Sequence, residues 1–323
     1  MEKILRCMTT LLATCAVCTG ALAQAYPDRA ITLVVPFAPG ASADALARIL
    51  ATELSASMGK SVVVENRPGA GGATGLIAVS KAPPDGYTLG MGATGAITIN
   101  PHIPDSPPLD PIKQLSPIAK VADIPLIMVA GPLSGLKTVR QVIDAARVKP
   151  DALSYGSTGN NTAQHLSGEL FNQLAKTTMV HVPYRGSAPA VNDVLAGITP
   201  IAVVDLTAAY PHIKAGTLNA VGMTSPARSV AAPEIPTLAE GGLTGYAASA
   251  WMGLFAPAGL PPAIAARLSR DVQAILGRAD IQARVLALGA EPAFLNDSAF
   301  RSFIGAESQK WKALIATLTS PKK

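Results

Sequence analysis

The sequence predicts an α/β protein of two lobes, each a mostly parallel sheet flanked by helices, with a ligand cleft between them. Three observations carry this. Short β-branched runs alternate with stretches of helical spacing, which is the pattern of a parallel sheet covered on both faces. One proline-rich traverse interrupts the alternation, which then begins again. Finally, 323 residues exceed what one hydrophobic core usually supports.

Taken in order, Ile31 to Phe37 is an apolar run that stops at Pro39-Gly40, and from Ser42 the spacing turns helical with Leu46, Ile49, Leu50, Leu54 and Met58. Val62 to Glu65 repeats the strand signal, Gly69 to Gly72 the glycine loop, Ala73 to Lys81 the helix, and Tyr87 to Gly92 gives a third strand. Residues 100–117 hold Pro101, Pro104, Pro107, Pro108, Pro111 and Pro117, so no regular element runs far there. Ile118 to Ala130 then reads as strand, Val139 to Arg147 as helix, Leu153 to Gly156 as strand, Asn161 to Leu174 as helix and Met179 to Val182 as strand. The series continues with a helix at Ala188 to Ala196, a strand at Ile201 to Val204, a helix at Leu206 to Ala215 and a strand at Leu218 to Met223. After Pro226, Pro233 and Pro236, Ala248 to Ala256 reads as strand. Pro261 and Pro262 open a helix to Leu276, as Pro suits a first turn, and two further helices close the chain. Three closing helices with little strand between them are expected to complete the first lobe. The expected division is 24–123 with 247–323 as the first lobe and 124–246 as the second.

The first residues combine Lys3 and Arg6, an apolar stretch from Cys7 to Leu22, and Ala21-Leu22-Ala23 before Gln24. That is the order of a secretory signal peptide, expected to be removed as residues 1–23, and it predicts a periplasmic protein. All three cysteines, Cys7, Cys15 and Cys18, lie in this leader, so the mature chain is expected to hold no disulfide, thiol nucleophile or Cys metal site. The formal charge of +5, aromatics at 4% and the lack of any Lys/Arg stripe exclude the footprint of a nucleic-acid binder. A mild positive balance suits a small anionic ligand.

Two segments share one design. Val35-Pro36-Phe37-Ala38-Pro39-Gly40-Ala41-Ser42-Ala43-Asp44 and Tyr155-Gly156-Ser157-Thr158-Gly159-Asn160-Asn161-Thr162 each join the C-terminal end of a strand to a helix start. Open α/β sheets bind ligands there. The unpaired N–H groups of a helix N-terminus carry about half a positive charge, so each loop can seat a carboxylate. The plainer alternative makes Ser42 and Asn161 helix caps and the glycines turn residues. His165, on the first turns of the second helix, can donate to a ligand oxygen. Arg185 follows a strand end, where an Arg is ordinarily solvated, and Asp205 ends the apolar run Ile201 to Val204, where it can accept from a ligand or cap the next helix.

Nothing calls for catalysis. Gly69-Ala70-Gly71-Gly72-Ala73-Thr74-Gly75 has the wrong spacing for a dinucleotide loop. Ser57-Met58-Gly59-Lys60 lacks the companion motifs of penicillin-interacting enzymes. His102, His165, His181 and His212 show no metal-ligand spacing. No catalytic residue, metal or cofactor is expected.

The chain resembles the Bug-type solute receptors of tripartite tricarboxylate transporters. The likeness lies in Tyr26-Pro27-Asp28-Arg29 with Val34 to Gly40, in Val62 to Gly72, in Pro84 to Leu89 and in Val182-Pro183-Tyr184-Arg185-Gly186. Ile235-Pro236-Thr237 with Glu240-Gly241-Gly242, and Trp251-Met252-Gly253 with Ala256-Pro257-Ala258-Gly259, extend it along the mature chain. The resemblance implies a Venus flytrap of the periplasmic-binding-protein kind, whose first lobe is built from both chain ends. It also implies a small carboxylate ligand and delivery to the permease subunits of a membrane transporter by a receptor expected to be monomeric. Carried over by position, the ligand loops are Phe37, Ala38, Gly40, Ala41, Ser42 and Asp44 in the first lobe. In the second they are Ser157, Thr158, Gly159, Asn160, Asn161, Thr162 and His165. Ala41 stands where the family usually has glycine, and its methyl restricts backbone approach to a ligand. Two rival readings are a periplasmic sensor subunit feeding a signalling kinase and an enzyme on the same scaffold, which would need a nucleophile or acid pair in the cleft.

Overall fold

A computed structural model describes residues 26–148 and 150–319. The expected signal peptide, with its three cysteines, lies outside the described residues. The strands are β1 (Ile31–Val35), β2 (Val62–Asn66), β3 (Thr88–Ala93), β4 (Leu115–Ile124), β5 (Leu126–Ala130), β6 (Ser154–Ser157), β7 (Val180–Pro183), β8 (Ile201–Asp205), β9 (Asn219–Met223), β10 (Ala250–Pro257) and β11 (Glu291–Asn296). The α-helices are α1 (Ser42–Met58), α2 (Ala73–Ser80), α3 (Pro111–Gln114), α4 (Val139–Val148), α5 (Ala163–Ala175), α6 (Ser187–Leu195), α7 (Leu206–Lys214), α8 (Pro262–Leu276), α9 (Ala279–Ala287) and α10 (Asp297–Thr319). No helix among the described residues is long and apolar enough to cross a membrane.

Two sheets result, in the orders β11-β4-β10-β3-β1-β2 and β7-β6-β8-β5-β9. In the first, β1 runs parallel to β2 and β3, while β10 and β11 return antiparallel. In the second, β6 runs parallel to β7 and β8, and β5 is antiparallel to its neighbours β8 and β9. Most strands therefore point one way in each sheet and bring their C-terminal ends, with the loops that follow, to a common edge.

Both faces of each sheet are covered, which explains why the strands read as unbroken apolar runs. Ile31, Leu33 and Val35 pack with Leu46, Leu50 and Leu54 of α1, whereas Val34 faces Leu76 and Val79 of α2. In the second sheet Leu126 and Met128 share a core with Leu166 and Phe171 of α5, and Ile127 and Val129 share another with Val191 and Val194 of α6. Each such side chain, fully buried, contributes about 1.5–3 kcal/mol.

The run from Ile118 to Ala130 is two strands rather than one. Pro125 has no N–H to give a ladder, and the chain changes sheets there: β4 pairs with β10 and β5 with β8. A second crossover runs beside it. Thr224 N–H donates to Leu126 O (2.9 Å), its Oγ1 to Ala248 O (2.8 Å), and Ala248 N–H donates back to Thr224 O (2.8 Å). The two sheets are thus joined by adjacent, hydrogen-bonded segments. The strand β11 was not expected. Its six residues include Pro292, its register breaks between Pro292 and Leu295, and it lies at a sheet edge, so it lacks the unbroken apolar run that marks the central strands in sequence.

Candidate functional site

The first loop leaves the C-terminal end of β1, turns at Gly40 with φ +81°, and enters α1. Its anchor is the buried Asp44. The carboxylate accepts from Gly40 N–H (3.0 Å), Arg48 Nε (2.9 Å) and Asn66 Nδ2 (2.8 Å), and Asn66 Nδ2 also donates to Phe37 O (3.0 Å). Burial works to raise the Asp44 pKa. Hydrogen bonds from Arg48, Gly40 and Asn66, with the Arg48 charge, outweigh it and hold the group below the usual carboxylate range. Both oxygens of Asp44 are therefore engaged inside the first lobe, and the side chain fixes the loop's shape. The N-cap of α1 is Ala41, in an extended conformation with no side chain capping the helix, so the first-turn amides are left to water or a ligand.

The second loop leaves β6 at the buried Ser157 and is held by neutral groups. Ser157 Oγ lies 2.6 Å from His181 Nε2 and accepts from Gly159 N–H at 3.2 Å. Thr162 is the N-cap of α5: its Oγ1 accepts from His165 N–H (3.3 Å) and donates to Gly159 O (2.8 Å). Asn161, in the left-handed region at φ +61°, is no cap; its N–H donates to His165 Nδ1 (3.2 Å). A backbone N–H can only donate, so Nδ1 accepts and the ring is neutral. The His165 ring stacks on His181 with centroids 3.9 Å apart. Burial drives His165 down to about 4, and burial together with the His165 neighbour drives His181 down to about 3. His165 thus braces the loop through Asn161 N–H and the His181 ring, rather than holding Nδ1 free to donate to a ligand. The close seating of α5 on β6 depends on Gly168, where a Cβ would lie 2.1 Å from the Tyr155 ring.

The two loops meet. Ser42 Oγ, on the first lobe, donates to Asp205 Oδ2 on the second at 2.7 Å and lies 2.9 Å from Thr207 Oγ1. Asp205 ends β8 and is the N-cap of α7, but its side chain caps nothing; Gln164 Nε2 of α5 donates to its other oxygen, and its own N–H donates to Ser187 Oγ (3.1 Å). Burial pushes the Asp205 pKa up, against hydrogen bonds from Ser42, Gln164 and Ser187 that pull it down. Of the other residues singled out in the sequence, Phe37, Thr158 and Gly159 are half-buried, Ala38, Gly40 and Asn160 are exposed, and Arg185 is exposed after β7. Sequence reasoning passed over Gln164, Thr207 and Ser187, and weighed His181 only as a metal ligand. Thr207 and Ser187 each had a local signal, a hydroxyl in the first turn of a helix.

The two sheets, the paired crossovers and the facing strand-end loops define a two-lobed binding protein of the Venus flytrap class. Residues 46–319 match the tripartite tricarboxylate transporter family receptor, and the chain belongs to this family. Protein BugT of Bordetella pertussis is 33% identical over 316 residues, covering 98% of this chain and 97% of that one. Among solved structures, R. palustris Rpa4515 with adipate superposes with a TM-score of 0.86 at 32% identity, over 90% of this chain and 98% of that one. MatC of Rhodopseudomonas palustris with bound malate gives 0.82 at 29% identity, over 90% and 100%.

Proposed function

We propose that the protein captures a small organic carboxylate between the loops at 37–44 and 157–165 and delivers it to the permease of a tripartite transporter at the outer face of the inner membrane. The observation that carries it is that the uncapped first turn of α1 and the first turn of α5 converge on one buried carboxylate, Ser42 donating to one oxygen of Asp205 and Gln164 to the other. The first-turn amides of α1, which no side chain caps, suit an anion without needing a cationic side chain, and they supply binding rather than a nucleophile. The relatives that hold adipate and malate support the same ligand class. In this reading residues 24–123 with 247–323 form one lobe, 124–246 form the other, and the monomeric receptor acts in the periplasm.

A thermal-shift screen against mono-, di- and tricarboxylates, amino acids and neutral compounds tests the proposal. A ligand binding only the folded state at 100 times its Kd adds about 2.7 kcal/mol, so one carboxylate should raise the melting temperature selectively. Thr158→Trp should abolish that shift while leaving the unliganded melting temperature in place. A shift with neutral or cationic compounds alone would refute the carboxylate seat.

A further inference from the structure

Resting on the two-lobe reading above, we infer that Gly95 is the residue that sets how far the lobes close. It opens the π-helical turn Gly95–Ile99 directly after β3, and it is buried. It is not one of the glycines with positive φ, so its own backbone has no need of glycine. What requires glycine is the opposite lobe. A Cβ at position 95 would lie 2.8 Å from Asn161 O and 3.4 Å from Thr162 Cα, both backbone atoms of the loop that opens α5. The first distance is closer than real side chains come, and a backbone carbonyl cannot rotate away as a flexible side chain would. Between these two in distance lies Gly71 O, within the same lobe, at 3.3 Å, a separation that a shift of a few tenths of an ångström relieves.

Gly71 flanks the same contact, its missing Cβ 3.2 Å from Asn160 O, but its φ of +63° gives it a second, local reason to be glycine. Position 95 has no such backbone reason, and its tightest contact is with the loop that opens α5. Of the glycine cluster that looked like a failed dinucleotide loop, Gly71 alone is thereby placed beside this backbone-to-backbone stop; Gly69, Gly72 and Gly75 meet neighbours of their own lobe. Closure has two markers, the Ser42–Asp205 hydrogen bond and this abutment. A methyl at 95 holds the loops apart and takes Ser42 out of reach of Asp205 and Thr207. Within its own lobe, Ala replaces Gly in a helical turn, which favours the folded chain.

The test reads closure without any ligand. Ser42→Cys with Thr207→Cys places two thiols where hydroxyls now lie 2.9 Å apart, and the rate of disulfide formation between positions 42 and 207, located by peptide mass mapping under mild oxidation, reports how often the lobes shut. Adding Gly95→Ala should slow that rate at least tenfold while the melting temperature of the unliganded protein is unchanged or higher. Gly305→Ala, where a Cβ meets nothing within 4 Å, should leave the rate as it was. In the chain without the added cysteines, Gly95→Ala should weaken binding of whichever of malate or adipate shifts the parent. An unchanged cross-linking rate, a parent pair that never cross-links, or a melting temperature lowered by Gly95→Ala would each overturn the inference. A parent that cross-links normally but binds no carboxylate would instead count against the ligand proposed above and leave the closure stop standing.

Discussion

The loop that opens α1 and the loop that opens α5 occupy equivalent places in their lobes, yet one is held by an ionised carboxylate and the other by hydroxyls and a neutral imidazole. Asp44 gathers Gly40, Arg48 and Asn66 around one buried charge. Ser157, Thr162 and His165 share the same duty in the second lobe without one. The position of a seat comes from topology, at the ends of parallel strands, while its rigidity comes from whatever local chemistry the sequence supplies. The two seats should therefore fail under different conditions.

The largest effect is expected from Asp44→Ala. It removes a buried acceptor shared by Gly40 N–H, Arg48 and the Asn66 amide, so urea denaturation should show a loss of about 2–3 kcal/mol. A loss under about 0.5 kcal/mol would mean that the first loop does not depend on its acid. Acid should do to the second loop what that substitution does to the first. His165 and His181 are held below their unfolded value of 6.5, at about 4 and about 3. The unfolded chain then binds more protons than the native one as pH falls from about 6.5 towards 4, and stability declines across that window. Asp44 is shifted downward, so its contribution is present above its unfolded value of 3.8 and is lost only as pH falls below it. Hydrogen exchange at pH 5 against pH 7, corrected for intrinsic rates, should accordingly show residues 157–165 opening while 37–44 stay protected. Equal response of both loops would erase the distinction.

Smaller, and confined to the second lobe, is Thr162→Ala. Loss of the cap on His165 N–H and of the bond to Gly159 O should cost about 1 kcal/mol, with Thr162→Ser recovering most of it. Smallest in stability is Ser42→Ala, expected to change unfolding by less than about 0.5 kcal/mol when the lobes are apart, because its partner Asp205 lies on the other lobe. Titration calorimetry should nonetheless show weaker binding. A large stability loss with intact binding would make Ser42 a structural residue of its own lobe.

Both loops were visible in the sequence because each is a local pattern, a β-branched run, a glycine turn and a helix start. What joins them was not. Ser42 and Asp205 stand 163 positions apart, and no spacing rule links residues that only the fold brings together. Capping was misplaced by one residue: Asn161 has the right chemistry, but its left-handed conformation hands the cap to Thr162. The Asp44 carboxylate looked available to a ligand because its partner Asn66 belongs to the next strand. At the level of elements, the alternation gave away most strands and helices, whereas β11 and the break at Pro125 depend on which sheet a segment joins.

The most direct test of the paired-seat account is hydrogen exchange with and without the carboxylate that gives the largest thermal shift. The account predicts that ligand slows exchange in 37–44 and 157–165 together. Protection of one loop alone, or of a surface away from both, would contradict it.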